Sequence, residues 1–480
     1  MAVSSKSDLT SADAVAEHVT LIRSVATGPS HIAVATRRHH ALILIAVCLG
    51  YFMAVLDATV VNVSLPDMAR ELAAGVAGMQ WVVDGYALLF ASLLLTAGAL
   101  GDRLGNRGMF AAGIGLFTLA SLLCGLAPSL PALVGFRGLQ GIGAAIAVPA
   151  SLALLRHHYQ DPSERALAIG LWGSATGVAV AAGPVVGGIL THAWTWRSVF
   201  LVNIPIGIAG LVLTMRHVPP APRHAHGPLD VAAQALGIMT LGPLTFGLIQ
   251  GGVWGWRAPL VIAAFAVAGV AGALFYLRER GADCPMLPLG LFTNATFSAA
   301  NAVGVVLNFC FYGEIFLMSL FFQQVQHRSP LEAGLALLPE TAVISLMTFV
   351  SGKITARRGP RPPMVVGLAL ASVGLFGLAL LGPRTPLPVI MAPLFLIGLS
   401  SVTMPAMTAA VLEHTPREHA GIGSAVLNAS RQVGGVVGIA LLGALISGHF
   451  LAGLRWGMGI AAAAALLGSG ASLLWIDRSE

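Results

Sequence analysis

The sequence predicts an all-α integral membrane protein with 14 transmembrane helices, arranged as two six-helix pseudo-repeats with an inserted helix pair. Composition gives the first indication, because 56% of the 480 residues are hydrophobic and only 10% are charged. A soluble domain carries about 25% charged residues. The second indication is a series of long apolar segments, and the third is a charged loop that occurs twice. Most of the chain must therefore face lipid or pack inside a helical bundle.

The apolar segments are each long enough to cross a bilayer as a helix, which takes about 20 residues. The first six lie near 41–65, 79–100, 109–127, 131–155, 167–190 and 198–215. Two more lie near 231–250 and 258–277, and the last six lie near 296–320, 331–352, 363–381, 387–411, 420–447 and 456–476. We therefore predict a cytoplasmic amino-terminal tail (1–38), a six-helix bundle (39–217), an inserted pair (218–280) and a second six-helix bundle (281–480).

The two bundles carry the same charged, glycine-punctuated loop at equivalent positions. The first copy runs from Gly98 to Arg107 and the second, 254 positions later, from Gly352 to Arg361. The same offset relates 161–166 to 415–420. Such repeats indicate a duplicated helical bundle, an architecture common among secondary transporters, in which the substrate path runs between the halves.

The distribution of basic residues gives the orientation. If the amino terminus is inside, 18 of the 26 Lys and Arg residues fall in cytoplasmic segments and six fall outside. This bias predicts that both termini are cytoplasmic, which requires an even number of spans. Nearly all basic residues are Arg, a usage typical of GC-rich bacterial genes, so we expect a bacterial plasma (inner) membrane. The polar stretch before Thr36 lacks the apolar region of a signal peptide.

Composition and motifs argue against several functional classes. The net charge of +6 comes from short loops without interleaved aromatic residues, so a nucleic-acid partner is not expected. The four Cys residues show no paired spacing, so neither a disulfide framework nor a metal site is expected. The sequence has no phosphate-binding loop and no nucleophile triad. We expect no enzyme activity and no cofactor, and an ion gradient as the energy source.

Six charged residues fall in the interior of predicted spans, at bilayer depth, where a charge costs roughly 2.5–3.5 kcal/mol on insertion scales. They are Asp57, Asp84, Arg137, Glu314, Glu340 and Arg431. A carboxylate that alternates between protonated and ionised beside a movable arginine can couple proton flow to a conformational change. We expect Asp57 and Arg137 to be this pair. The alternatives are a structural hydrogen bond for Asp57 and the capping of carbonyl groups for Arg137.

The other four charges have less specific interpretations. Asp84 and Glu340 are candidates for carrying protons or attracting a cationic substrate. Glu314 is a candidate of the same kind, with a solvated position at the outer interface as the alternative. Arg431 is expected to face these acids, and structural pairing is its alternative role. Five aromatic residues are candidates for the lining of a substrate cavity, with lipid-facing or core positions as the alternative: Trp81, Tyr86, Phe90, Phe309 and Tyr312.

Motifs spread over most of the chain resemble the major facilitator superfamily, specifically its fourteen-spanner drug:proton antiporter branch of the multidrug efflux and antibiotic resistance type. They are Leu56-Asp-Ala-Thr-Val-Val-Asn-Val-Ser-Leu-Pro66, the loop 98–107, Arg137-Gly-Leu-Gln-Gly-Ile-Gly-Ala-Ala145, the stretch 173–188, the stretch 196–207 and the stretch 424–438 around Arg431. Three positions depart from the family pattern. Asn106 replaces a basic residue, Ala356 replaces the Asp of the repeated loop, and Ala179 replaces a Gly.

The resemblance implies proton-coupled efflux of drug-like amphipathic, cationic compounds across the plasma membrane by alternating access. It implies a gating loop that latches helices of the two halves, with a positive-inside anchor as the alternative: Gly98, Asp102, Arg103, Gly105 and Arg107. It also implies an antiporter helix that seals the halves against leak, with ordinary tight packing as the alternative: Gly177, Gly183, Pro184, Gly187 and Gly188.

The expected partners are a small-molecule substrate, protons and the lipid bilayer, and the expected oligomeric state is a monomer. Two other functions remain open at this point. One is a specific exporter of a single endogenous metabolite or antibiotic, or an importer, on the same fold. The other is a non-transporting membrane sensor or scaffold, for which the loops offer no signalling domain.

Overall fold

A computed structural model describes residues 29–220, 230–282, 285–416 and 420–477. In this part of the chain 14 helices are long and apolar enough to cross a membrane, which confirms the predicted fold class. The first eight are α1 (Pro29–Glu71), α2 (Val76–Leu104), α3 (Asn106–Gly125), α4 (Leu130–His158), α5 (Pro162–Ala193), α6 (Ser198–His217), α7 (Val231–Trp254) and α8 (Pro259–Gly281). The last six are α9 (Ala295–Val325), α10 (Pro330–Arg358), α11 (Arg361–Ala379), α12 (Leu387–Glu413), α13 (Ala420–Leu445) and α14 (Phe450–Trp475).

Several helices extend beyond their predicted ends, and α1 and α10 show why. Helix α1 begins at Pro29, so residues 29–38 of the predicted tail are helical, whereas residues 1–28 lie outside the described part of the chain. Proline is tolerated in the first turn, and no Gly or Pro interrupts the chain between Pro29 and the apolar segment. Helix α10 continues to Arg358 because the first helix-ending residue is Gly359, whose φ is +72°. Apolar length alone therefore underestimates both helices.

The helices pack as two bundles that meet along two seams. Within the first bundle α3 and α2 pack on α4, and α5 and α6 pack on α1. Within the second bundle α9 packs on α13, α11 packs on α14, and α12 packs on α10 and α11. The seams between the bundles are α5 against α10 and α2 against α13. Of the inserted pair, α7 packs against α2, α13 and α8, so it covers one seam. The exact domain boundaries stay a prediction.

The repeated loop has a glycine with positive φ at the equivalent position in both bundles. Gly105 ends α2 with a φ of +99°, and Gly359, 254 positions later, ends α10 with a φ of +72°. Residues with a Cβ atom rarely adopt positive φ, so glycine permits the tight turn into the next helix. The backbone therefore preserves the duplication that the sequence predicts.

Helix α5 begins with a side-chain cap, which comes from the α4–α5 loop (159–161). Asp161 Oδ1 accepts hydrogen bonds from the Ser163 hydroxyl group and from the backbone N–H groups of Ser163 and Glu164, at 2.5, 2.9 and 3.0 Å. These bonds, the Ser163 hydroxyl first, hold the pKa of the Asp161 carboxyl below its usual range. Such a cap satisfies backbone donors at the start of a helix and fixes where α5 begins.

The bundle has two faces. We call the face at which α1 begins the amino-terminal face; it also carries the α2–α3 and α10–α11 loops. The opposite face carries the α1–α2, α5–α6 and α9–α10 loops. This assignment follows from the alternation of consecutive spans along the chain.

Candidate functional site

A buried ion pair joins α1 to α4 in the first bundle. Arg137 Nη1 binds Asp57 Oδ2, and both side chains are fully buried. Arg137 Nε also donates to the carbonyl oxygen of Val82 on α2, at 2.8 Å. The arginine therefore holds three helices together around one carboxylate. This is the pair that the sequence predicts, and its role in proton coupling stays a prediction.

Neutral polar side chains complete the surroundings of Asp57. Asp57 Oδ1 accepts hydrogen bonds from Gln140 Nε2 at 3.1 Å and from Asn203 Nδ2 at 2.9 Å. Gln140 in turn donates to Ser121 Oγ at 2.8 Å and accepts from Arg137 Nη1 at 2.9 Å. Both oxygens of the Asp57 carboxyl group therefore accept from neighbouring donors. Adding a proton to this carboxyl would remove the charge that holds Arg137.

Sequence reasoning did not single out Gln140, Asn203 or Ser121. A signal for the first existed, because Gln140 lies one helical turn after Arg137 and so shares its face. Asn203 lies in the motif 196–207, but nothing local places it beside a residue 146 positions earlier. Ser121 lies on a third helix and contacts Asp57 only through Gln140 and Asn203.

A cavity of about 280 Å³ lies between the two bundles. Its aromatic lining comes from both halves: Tyr51, Tyr86, Phe90, Trp172, Phe311 and Tyr312. The rings of Tyr51 and Trp172 are stacked with centroids 3.9 Å apart. Three of the five predicted aromatic residues line this cavity. Trp81 instead packs against Phe246 of α7, and Phe309 lies outside the lining, so these two predictions were wrong.

Tyr86 connects the cavity to the ion pair. Its ring lines the cavity, and the Arg137 guanidinium lies 4.6 Å from the ring centroid, within cation–π distance. The Tyr86 hydroxyl group donates to the carbonyl oxygen of Ala54 on α1, at 3.1 Å. Ala54 and Ala58 line the cavity on either side of Asp57 in the sequence. Asp57 therefore lies one layer of side chains beneath the cavity wall.

Arg431 on α13 is the charged residue in the lining of the cavity, within the described part of the chain. Its Nε donates a long hydrogen bond to Asn308 Oδ1, at 3.5 Å. The expectation that it faces the buried acids was wrong. The Cγ atom of Arg431 lies beside Gly304 of α9. Glu314 lies ten residues further along that helix, a distance of roughly 15 Å at 1.5 Å per residue.

The three other acids that the sequence places inside spans lie away from the cavity. Asp84, Glu314 and Glu340 are fully buried, and none of them belongs to its lining. The Asp84 carboxyl oxygens have no hydrogen-bond partner among the residues that the structure describes, whereas the carboxyl groups of Glu314 and Glu340 lie within hydrogen-bonding reach of each other. Glu314 and Glu340 are neighbours across α9 and α10. The alternative that placed Glu314 in solvent at the outer interface was wrong, because Leu317, Phe321 and Phe322 further along α9 are buried as well.

The described contacts of the gating loop join helices of the first bundle. Asp102 Oδ1 accepts a hydrogen bond from Asn106 Nδ2 at 3.3 Å, across the turn at Gly105. Arg107 Nη2 donates to the carbonyl oxygen of Met215 near the end of α6, at 2.7 Å. Gly98 approaches Pro149 of α4, and Arg103 lies in the last turn of α2. A latch between the two halves through these residues stays a prediction.

The predicted antiporter helix, α5, packs between α1 and α10. A Cβ atom added at Gly187 would lie 3.2 Å from Val60 Cγ2 of α1, and Gly183 approaches Thr59 and Val60 in the same way. On the other side, a Cβ atom at Gly188 would lie 2.9 Å from Leu331 Cα of α10. Pro184 lies against Gly334 of α10. Small residues therefore allow close backbone approach on both sides of α5.

The seams are closed on the opposite face of the bundle. Gln80 Nε2 donates to the carbonyl oxygens of Ile439 and Ala440, at 2.9 and 2.7 Å, and so ties α2 to α13. Gln323 at the end of α9 donates to the carbonyl oxygen of Val63 on α1, at 2.8 Å. Contacts between α5 and α10 continue inward from this face as far as the hydrogen bond from Ser345 Oγ to the Gly177 carbonyl oxygen, at 2.6 Å.

Beyond Gly177 the α5–α10 seam separates toward the amino-terminal face. Cβ atoms added at Gly170 and Gly173 of α5 and at Gly352 of α10 would meet no described atom within 4 Å. The cavity, which both Gly173 and Gly177 line, therefore lies on the open side of the seam.

Comparison with known proteins accords with this architecture. The family model of the Major Facilitator Superfamily matches residues 47–237 and 229–439. The chain is 39% identical to the methylenomycin A resistance protein of Bacillus subtilis, over 90% of this chain and 92% of that protein. It is 37% identical to the multidrug resistance protein Stp of Mycobacterium tuberculosis, over 87% of this chain and 78% of that protein.

Solved structures share the fold at low sequence identity. A bacterial homologue of the human lysosomal transporter Spinster, in an inward-facing conformation, matches with a TM-score of 0.63 and 20% identity, over 92% of this chain and 99% of that one. A D-xylose–proton symporter matches with a TM-score of 0.66 and 14% identity, over 91% and 98%. With the family model and the relatives above, these matches identify a multi-pass membrane transporter. The chain belongs to the Major Facilitator Superfamily.

Proposed function

We propose that this chain exports amphipathic, drug-like compounds across the bacterial plasma membrane in exchange for protons. The observation that carries the proposal is the buried Asp57–Arg137 pair, which lies one layer beneath the wall of a cavity between the bundles. A buried pair of this kind changes its charge state with one proton and contacts the cavity through Tyr86. The names of the relatives, which describe resistance and multidrug resistance proteins, support export as the direction.

The orientation of the cycle follows from the basic residues. With both termini in the cytoplasm, the amino-terminal face is cytoplasmic, and the glycines of the α5–α10 seam have the most space around them on that side. Substrate enters from the cytoplasm between α5 and α10 and reaches the cavity. Closure of this side would need to be accompanied by opening of the contacts of Gln80, Gln323 and Gly188 on the outer side. The transporter acts as a monomer, since each chain contains both bundles and the whole cavity.

The ion pair supplies the coupling step. Ionised Asp57 is held by Arg137, Gln140 and Asn203. A proton that arrives from the outer side neutralises the carboxyl and weakens its hold on Arg137, because the charge-assisted bonds become ordinary ones. Arg137 then shifts against Tyr86 and changes the wall of the cavity. Substrate release outward and proton release inward occur in opposite halves of the cycle.

An exporter of a single antibiotic is the second candidate. It is favoured by relatives that are named for resistance to one compound, methylenomycin A, at 39% and 37% identity. The two candidates differ in the number of compounds transported and share the coupling step.

The experiment uses inverted vesicles that contain the full chain and an internal pH reporter. A respiratory substrate establishes the pH gradient, and a panel of anionic, neutral and cationic drugs is then added. We expect at least one compound to dissipate the gradient, and Asp57→Asn to abolish the response because this variant cannot change charge. Glu413→Gln, at an exposed position at the end of α12, is the matched control and should respond normally. A full response in Asp57→Asn would contradict coupling through this carboxyl.

A further inference from the structure

We propose that the cavity binds compounds that carry a carboxylate or another compact anionic group, and that Arg431 holds this group. The inference rests on the proposed export function and specifies its class of substrate. It departs from the cationic substrate that the sequence predicts, because the positions of the buried acids, rather than their number, decide which charge the cavity attracts.

The charge of the cavity wall is the first step. Among the described residues of the lining, Arg431 is charged and none is Asp or Glu. The four acids that the sequence places inside spans cannot serve a ligand in this position, and the buried Glu279 of α8 lies outside the lining as well. Asp57 is occupied by Arg137, Gln140 and Asn203, and the other three lie outside the lining. A cation in this cavity would meet one like charge and no opposite charge, which costs binding energy in a site with little water.

The second step is the partner of Arg431. No carboxylate lies within ion-pair distance of its guanidinium group in the described part of the chain, whereas Arg137 binds Asp57. The one hydrogen bond of Arg431, to Asn308, uses Nε and is 3.5 Å long. The side chain is only half-buried because it borders the cavity. Its two terminal nitrogens therefore remain for a ligand, and their planar fork matches a carboxylate.

The third step is the shape of the ligand that fits beside this group. Neutral donors and acceptors border the cavity near Arg431: Asn308, Tyr312, Asn428 and Gln432. Across the cavity, on the first bundle, the stacked rings of Tyr51 and Trp172 form an apolar wall. Such a site suits a flat apolar body with one acidic group at its end. When this ligand occupies the cavity, Arg431 gains an anionic partner, which no described residue of the lining provides.

The test is equilibrium binding to the purified full chain in lipid nanodiscs, without a pH gradient. The probes are 2-naphthoate, its methyl ester and 2-naphthylmethylamine, which share one aromatic body and differ in charge. We expect naphthoate to bind best. Arg431→Gln should weaken naphthoate binding about 10- to 100-fold, the range for hydrogen bonds to a charged group, and should leave ester binding within about twofold. Arg431→Lys should retain part of the affinity because it keeps the charge and loses the fork.

The matched control is Arg455→Gln, which removes an exposed arginine at the start of α14. It should leave the binding of all three probes unchanged. Unchanged ester binding by Arg431→Gln shows that this variant is folded. The proposal is overturned if the amine binds better than naphthoate, if naphthoate does not bind, or if Arg431→Gln binds naphthoate as the unmodified chain does. Because no gradient is present, these results are independent of the response of Asp57→Asn, so failure of proton coupling is a separate outcome.

Discussion

The two bundles each place one arginine inside the membrane, and the two arginines differ in what surrounds them. Arg137 in the first bundle is fully buried and bound to Asp57, to Gln140 and to a backbone carbonyl oxygen. Arg431 in the second bundle borders the cavity and has one long hydrogen bond. The same residue type therefore serves two purposes within one duplicated fold. One charge is compensated inside the protein, and the other is left for something that enters the cavity.

The largest expected difference is between the losses of stability caused by Arg137→Ala and by Arg431→Ala. Arg137→Ala leaves Asp57 as an uncompensated buried charge, which destabilises a protein by about 3–5 kcal/mol. Arg431→Ala removes a residue with no acidic partner in the described part of the chain, and we expect it to cost less than about 1 kcal/mol. Thermal unfolding of both variants in nanodiscs measures the difference. The double variant Asp57→Asn with Arg137→Gln should recover much of the loss, since no charge remains buried. Equal losses in the two single variants would remove the distinction between the arginines.

The positions of these charges show how far the sequence predicts the site. Insertion costs single out charged residues in apolar spans, and the six that sequence reasoning selected are inside helices that cross the membrane. The pairing of Asp57 with Arg137 was predicted as well. The isolation of Arg431 was not, because an apolar helix does not reveal which side faces a cavity. That information comes from the packing of α13 on α9, at Gly434 and Gly438.

The fold was predictable to a greater extent than the site. Helix number follows from apolar length, and the duplication follows from the repeated loop, whose glycines Gly105 and Gly359 have positive φ in both copies. Neutral polar residues carry no such signal. Asn203 and Gln80 each make contacts essential to the arrangement, one with Asp57 and one across the seam to α13. Their partners are 146 and 360 positions away, so only the tertiary fold brings them together.

Two asparagines test the comparison between the surroundings of Arg137 and of Arg431, with an expected effect of intermediate size. Asn203→Ala removes a donor from the ionised Asp57 carboxylate, and hydrogen bonds to charged groups are worth about 1.5–3 kcal/mol. Asn308→Ala removes the hydrogen-bond partner that Arg431 has among the described residues, but that bond is 3.5 Å long and borders the cavity. We expect it to cost less than about 0.5 kcal/mol, since water can replace the lost partner. Thermal unfolding of the two variants should therefore separate in the same order as that of the arginines. A larger loss in Asn308→Ala would indicate that Arg431 is held by the protein after all.

The smallest expected difference concerns the turns that the two bundles share. Gly105→Ala and Gly359→Ala each force an L-residue into positive φ, which costs about 1–2 kcal/mol, and the two losses should be similar because both turns have the same role. Gly115→Ala in α3 is the control, since an added Cβ atom there meets no described atom within 4 Å. Equal losses of stability in the two glycine variants, with unequal losses in the arginine and asparagine variants, would show that the two bundles have similar turns and differ in their buried charges. Unequal losses in the two glycine variants would show that the backbones of the bundles also differ in stability. The losses measured for the arginine and asparagine variants would then have to be corrected for this difference.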